Sequence, residues 1–290
     1  MRPAAELLSR CERLRIVTRN RSHALGYGVR RTRRRGISLQ FADFREYVPG
    51  DDPRQVDWNV YGRSGNLVVK QFEDESRMDV HVLVDVSRSM DFGTPSKFDT
   101  ARTLAGLLGH IALAGFDRVV VVPIDRVAGA AIGPLSAREQ SGHVFQSLNR
   151  WSVGGESDLG RALAAYINGV GARPGVMILI SDLMTPTWEA GLRELVRGHH
   201  QVAIVHLLAP EEVFPAGGEE LRLLDRESGK TVEVHVDRLT LDAYARRFAA
   251  WIGAIERFCH KHGARYARAN TDQPLENLLF DGLRRRGVLT

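Results

Sequence analysis

Cysteine is almost missing from this chain: Cys11 and Cys259 are the only two in 290 residues. Two distant thiols cannot make a disulfide framework, and they cannot supply the ligands of a structural zinc site. Both read as ordinary buried or half-buried thiols. Long apolar runs are absent as well. No stretch of about 18 apolar residues marks a membrane-spanning helix, and the first residues lack the apolar core of a secretory signal, so a soluble cytoplasmic protein is expected. Nor is there a G-x-S-x-G elbow for a nucleophilic serine. Glu227-Ser228-Gly229-Lys230-Thr231 mimics the end of a phosphate-binding loop, but Leu224 stands where the first glycine is needed. Cys259, His260 and His262 do not share one face of a helix, and no second cluster completes a four-ligand site. His199 and His200 follow Gly198 at an expected helix end, where cationic side chains suit the dipole.

With 43% hydrophobic residues, the chain has enough apolar material for a full-size core. Its net charge of +5 is unevenly spread: residues 1 to 36 hold eleven Arg and two Glu, a local +9, which leaves the remainder at −4. The basic arm ends in Arg30, Arg31, Arg33, Arg34 and Arg35. Such an arm can meet nucleic acid phosphates, an anionic membrane or an acidic protein face. With only Tyr27 as an aromatic platform and no recognition-helix pattern, a solvated face is the preferred reading over nucleic-acid binding.

Ala5 to Thr18 has roughly helical spacing of Leu7, Leu8, Cys11, Leu14 and Ile16, and predicts a short amphipathic helix within this arm. Residues 37 to 78 form a β-rich segment, with strands expected at Ile37 to Phe44 and Leu67 to Phe72 around a turn at Pro49, Gly50, Asp51 and Asp52. From residue 79 to 290 the pattern becomes α/β. Near-continuous Val, Ile and Leu runs at Val80 to Val86, Arg118 to Ile124, Val176 to Ser181 and Gln201 to Leu208 predict strands covered on both faces. Helices fill the gaps, the clearest beginning after Ser96 as N-cap and stopping at Gly115. A hairpin insertion is expected near 221 to 236, then a long helix from about Leu239 to His262 and a strand near Arg265 to Ala269.

The chemistry concentrates at Asp85-Val86-Ser87-Arg88-Ser89, where the first buried run ends. Ligands bind at the carboxyl ends of strands in open α/β sheets. A D-x-S-x-S loop there can aim a carboxylate and two hydroxyls at one point, an oxygen set that suits a hard cation. Standing alone, the motif is also a common turn former. Two later strand-end segments support it: Ser157 in Gly154-Gly155-Glu156-Ser157-Asp158, and Asp182 after Ile178-Leu179-Ile180-Ser181.

This order of residues resembles the metal-ion-dependent adhesion site of von Willebrand factor A domains, with Ser157 where that family usually has Thr. The resemblance narrows at Phe44-Arg45-Glu46-Tyr47-Val48-Pro49-Gly50-Asp51-Asp52-Pro53-Arg54-Gln55-Val56-Asp57-Trp58, which is similar to the R-x-Y-x-P-G-D-D-x-R-x-I-D-W signature of the domain of unknown function 58 family. It continues through Gly62 to Glu73 and through Leu224 to Gly229, and covers about residues 22 to 287. Within the signature, Tyr47 and Trp58 are core-sized, and Arg45, Arg54, Asp51, Asp52 and Asp57 suit a buried ion-pair web that locks the β segment in place.

The resemblance implies a von Willebrand factor A-like, Rossmann-type fold, mostly parallel with helices on both faces. It implies no established catalysis and a partner of the MoxR-type AAA+ ATPase class, in assembly or chaperone-like work. Asp85, Ser87, Ser89 and Ser157 are expected to bind Mg²⁺, with Mn²⁺ or Ca²⁺ as alternatives, and Asp182 to bind it directly or through water. A partner's Glu or Asp would complete the shell. The rival from another class is a metal-assisted hydrolase, for which Glu156, Asp158 or Asp91 are the only candidate bases by position.

Overall fold

The computed structural model describes residues 3–17, 40–48, 56–73, 78–170, 175–198, 200–215, 220–224 and 231–290. By contacts the chain divides into two units, Ser22–Arg77 and the remainder, Met1–Arg21 with Met78–Thr290.

Near the N-terminus, helix α1 (Ala5–Cys11) belongs to the larger unit and buries Cys11 completely. The chain then runs as an edge segment, with Arg15 N–H donating to the Thr290 carbonyl and Val17 N–H to that of Val288. Part of the basic arm is therefore structural: Arg10 pairs with Glu276 at 2.5 Å, and Arg15 donates to the carbonyls of Glu12 and Leu14. Arg30, Arg31, Arg33, Arg34 and Arg35 lie outside the described residues.

In the smaller unit, β1 (Gln40–Glu46) pairs antiparallel with β2 (Val68–Glu73), with a bulge between Phe41 and Asp43. Between them stands a helix that periodicity did not announce, α2 (Trp58–Ser64). It is seven residues long and depends on its ends. The Asp57 carboxylate accepts from Asn59 N–H at 2.9 Å and Val60 N–H at 3.2 Å, and Gly65 closes it in the left-handed region at φ 71°. Asp57 is thus an N-cap, and Arg54, Asp51 and Asp52, expected with it in an ion-pair web, lie outside the described residues. Trp58, expected in a core, is instead 60% exposed with its ring edge-on to Tyr61. The signature residues 49 to 55 fall outside the described residues.

The larger unit holds a six-stranded sheet. In chain order its elements are β3 (Asp79–Asp85), α3 (Lys97–Ala114), β4 (Arg118–Ile124), β5 (Ile132–Leu135), α4 (Ser141–Leu148), α5 (Leu159–Val170), β6 (Gly175–Ser181), α6 (Trp188–Arg197) and β7 (Gln201–Leu208). They are followed by α7 (Pro210–Val213), the hairpin β8 (Glu220–Leu224) and β9 (Thr231–His235), α8 (Arg238–Lys261) and β10 (Arg265–Asn270). The strand order is β10-β7-β6-β3-β4-β5, all parallel except the antiparallel edge strand β5.

Alternate side chains of the central strands feed two cores, which is why those strands are apolar at nearly every position. Val80, Val82 and Val84 with Ile178 and Ile180 face α3 and α4. Leu83, Met177, Leu179 and Ile204 face α5, α6 and α8. Helix α3 starts where Ser96 accepts from Asp99 N–H, and at Gly106 an added Cβ would lie 2.3 Å from the Phe145 ring, so α4 packs directly on its backbone. Among the described residues no helix is long and apolar enough to cross a membrane.

Candidate functional site

Strand β3 leads through α3 to β4 on one side, while its other neighbour, β6, belongs to the half that continues outward to β7 and β10. The crevice at the carboxyl ends of β3 and β6 is therefore the switch point of the sheet, where chain departing in opposite directions leaves room for a ligand. Asp85 is the last residue of β3, and Asp182 follows the last residue of β6.

Asp85 is 1% exposed. One carboxylate oxygen accepts from Ser87 N–H at 2.9 Å, and the other accepts from the Ser181 hydroxyl at 2.6 Å. Burial pushes its carboxyl up to about 7, the nearby Asp182 charge adds to this, and the Ser181 and Ser87 hydrogen bonds oppose it. Ser87 precedes a single 3₁₀ turn, Arg88–Met90, that carries Ser89, and the two hydroxyl oxygens stand 3.1 Å apart.

The loop that bears Ser157 is clamped to this turn: Gly154 N–H donates to the Val86 carbonyl at 2.9 Å and Arg88 N–H to the Gly155 carbonyl at 3.1 Å. Gly155 has φ 84°, and a Cβ there would sit 2.8 Å from an Asp125 carboxylate oxygen, so the clamp requires glycine. The Thr185 hydroxyl donates to the Ser157 carbonyl at 3.1 Å, which ties the loop after β6 to the same place. Asp158 accepts from Arg161 N–H and caps the first turn of α5, while Glu156 lies beside Arg126 in an exposed pair.

Asp182 is also 1% exposed, and its two oxygens differ in partner. One accepts from Met184 N–H at 3.0 Å; the other accepts from Lys97 Nζ at 2.6 Å. Lys97, the first residue of α3, is fully buried and also donates to Glu212 on α7. Burial would lower the pKa of this ammonium, but the Asp182 and Glu212 carboxylates outweigh it and raise it. Burial pushes Glu212 upward against the pull of Lys97. Glu212 is itself fixed, since its second oxygen accepts from Ala209 N–H and its carbonyl accepts from the Tyr244 hydroxyl on α8 at 2.6 Å.

His206 closes the network from below. Its Nε2 lies 2.8 Å from the Asp182 carbonyl, an acceptor only, so Nε2 carries the proton and Nδ1 accepts from the Tyr266 hydroxyl. Burial lowers its pKa to about 4 and keeps it neutral.

These groups fit a small hard cation in two respects. Two oxygens bound cis on an octahedral Mg²⁺ lie about 3 Å apart, as the Ser87 and Ser89 hydroxyls do at 3.1 Å. Three carboxyl groups, Asp85, Asp182 and Glu212, gather at the crevice, and the buried ammonium of Lys97 pairs with two of them, Asp182 and Glu212. No cluster of three or more His, Cys, Asp or Glu side chains able to hold a metal occurs among the described residues, so any ion here would rest largely on hydroxyls. Cys11 and Cys259 are buried thiols, pushed by burial up to about 11 and about 12, and are chemically quiet.

Of the residues expected from sequence, Asp85, Ser87 and Ser89 share one loop, and the Ser157 loop abuts it. Asp182 stands across the crevice, but its side chain is engaged by Lys97. Lys97, Glu212, Thr185 and His206 were not expected. One signal existed for Lys97: a cation in the first turn of a helix opposes the dipole and implies a nearby anion.

A mostly parallel sheet in this order, with a D-x-S-x-S loop at its switch point, defines a von Willebrand factor A-like domain. The chain belongs to the family described as "Protein of unknown function DUF58", whose model matches residues 43–251. It is 29% identical over 265 residues to the uncharacterized protein Rv1480 of Mycobacterium tuberculosis (strain ATCC 25618 / H37Rv), an alignment that spans 88% of this chain and 82% of that one. Among solved structures it is similar to the conserved hypothetical protein BatB from Bacteroides thetaiotaomicron, with a TM-score of 0.44 and 16% identity over 72% of this chain and 98% of that one. It is also similar to the SpRpn10 VWA domain, with a TM-score of 0.33 and 14% identity over 45% and 75% of the two chains.

Proposed function

We propose that this chain is a metal-dependent protein-interaction module, an adaptor or assembly factor in the cytoplasm that works with a MoxR-type AAA+ ATPase. The observation that carries the metal-dependent part is the pair of Ser87 and Ser89 hydroxyls at 3.1 Å, beside buried Asp85 at the switch point of the sheet. Asp85, Ser87, Ser89 and Ser157 would hold the ion directly, and Asp182 would hold it directly or through a water. A bound dication would supply an electrophilic centre for an incoming carboxylate. The chain's own residues do the rest. Ser181 and Ser87 N–H hold the Asp85 carboxylate in one orientation, and Thr185 holds the Ser157 loop against the turn. The ATPase partner rests on the family resemblance alone.

Two of the three candidate bases of the hydrolase alternative are already engaged. Asp158 is occupied as a helix cap, and Glu156 sits in an ion pair in which both side chains are more than half exposed. Calorimetric titration of Mg²⁺ and Mn²⁺ into the wild type, Asp85→Ala and Ser89→Ala, each with a circular dichroism spectrum, tests the site. Binding by the wild type that is lost in folded variants is expected, followed by capture of the ATPase only when the ion is present. Equal binding in all three would remove this site from consideration.

A further inference from the structure

The most unusual group in the larger unit is the ammonium of Lys97. It is fully buried, stands at the first position of α3 and is enclosed on all the sides that matter: Asp182 at 2.6 Å, Glu212, the Met184 sulfur at 4.0 Å and the Phe92 ring at 5.8 Å to its centre. A lysine in the first helical turn faces the positive end of the helix dipole, and its ammonium has left water, so two separate penalties are met by two carboxylates. The side chain also has nowhere to go. Glu212 is held by Ala209 N–H and through its carbonyl by Tyr244, and Asp182 is held by Met184 N–H and through its carbonyl by His206.

We infer that Lys97 is a resident rival of the metal ion: its ammonium and a divalent cation compete as counter-charges for Asp182, so that Lys97, fixed by Glu212, sets a weak affinity for the ion. This rests on the metal-dependent reading above. The oxygen of Asp182 that Met184 N–H does not use is the one that Nζ occupies. A dication drawing on Asp182 must therefore share that carboxylate with a fixed positive charge, and like charges at such range repel strongly where water is excluded. The ion is then left mainly to Asp85 and hydroxyls, is held loosely, and gains most from a carboxylate that a partner brings. Lys97 makes the site one that fills with its partner rather than before it.

The test is Mn²⁺ calorimetry on wild type, Lys97→Met and Glu212→Gln, with folding checked by circular dichroism and melting temperature read with and without Mn²⁺. Lys97→Met is expected to bind Mn²⁺ at least about tenfold more tightly, which corresponds to about 1.4 kcal/mol, and to gain more melting temperature from Mn²⁺ than the wild type does. Glu212→Gln leaves Lys97 with Asp182 as its one carboxylate, so its Mn²⁺ affinity is expected to fall several-fold. A folded Lys97→Met with unchanged or weaker affinity overturns the rivalry, while Asp85-dependent binding by the wild type would keep the metal site standing. If Lys97→Met does not fold, Glu212→Gln decides, and unchanged or tighter binding there overturns the proposal. Absence of Mn²⁺ binding in every folded variant rejects both the site and the rivalry.

Discussion

At the amino ends of the strands, Asp79 of β3 and Arg118 of β4 face each other in register and close a two-point ion pair at 2.6 and 2.7 Å. At the carboxyl ends, Asp182 and Glu212 share the ammonium of Lys97, while the buried Asp85 is held by Ser87 N–H and the Ser181 hydroxyl. One end is a one-to-one pair partly open to water; the other is buried and gathers three carboxyl groups around a crevice in which the Lys97 ammonium pairs with two. The difference separates a seam, which needs only to close, from a site, which must leave something unsatisfied for a ligand to complete.

Removing the buried ammonium at the carboxyl end is the hardest blow to that asymmetry. Lys97→Ala strands two buried or half-buried carboxylates and should cost about 3–5 kcal/mol in urea unfolding, with much of the loss recovered in Lys97→Ala/Asp182→Asn. A loss under about 1 kcal/mol would mean that the triad behaves like a surface pair.

Next in size is Asp85→Asn. Because burial disfavours the charged form of Asp85, the amide should raise stability at pH 8 by about 1–2 kcal/mol while metal binding disappears. A less stable Asn variant would show that the Asp85 charge is already well compensated.

The buried histidines and the buried Asp85 also respond to acid with opposite sign. Burial, and then the neighbouring His200, lowers the pKa of His81 from 6.5 to about 4, as burial does for His206. Their neutral forms give stability that is complete above pH 6.5 and is lost as pH falls toward 4. Asp85 is raised from 3.8 to about 7, so it does the reverse: its contribution is complete below pH 3.8 and is lost as pH rises through 7. For these three groups, two losses and one gain leave a net slope near one proton, about 1.4 kcal/mol per pH unit, between pH 6.5 and 4, while His110, lowered by burial, and Glu212, raised by it, add contributions of opposite sign. Asp85→Asn should roughly double this slope and His81→Gln should nearly flatten it, as read from urea midpoints across that range. Equal slopes in all three proteins would contradict the assignment. His81 is bonded through Nδ1 to the Tyr166 hydroxyl at 2.7 Å, a contact that Gln can retain.

The smallest effect is expected at the balanced end. Arg118 is a third exposed, so Arg118→Met should cost no more than about 1 kcal/mol, and 0.5 M NaCl should remove most of the difference.

The strands and the first half of the site were legible because their signals are local. Runs expected at Val80 to Val86, Arg118 to Ile124, Val176 to Ser181 and Gln201 to Leu208 fall within a residue or so of β3, β4, β6 and β7. The long helix expected at Leu239 to His262 is α8, Arg238–Lys261, and the hairpin forms as β8 and β9. Strand β5 was invisible: it is four residues, Ile-Gly-Pro-Leu, and Pro134 is tolerated because the strand lies on the sheet edge. Helix α2 was missed because it lives by its caps, Asp57 and Gly65, rather than by an apolar stripe.

By itself the sequence determined the alternation of buried strands and amphipathic helices, and with it the D-x-S-x-S turn at a strand end, since burial on two faces and turn chemistry are written in neighbouring residues. What only the tertiary structure decided is the electrostatics of the crevice. Lys97 and Asp182 are 85 residues apart, and Lys97 and Glu212 are 115 apart. They meet because parallel strands bring their carboxyl ends together, and a charge balance depends on distance in space, which spacing along a chain does not encode.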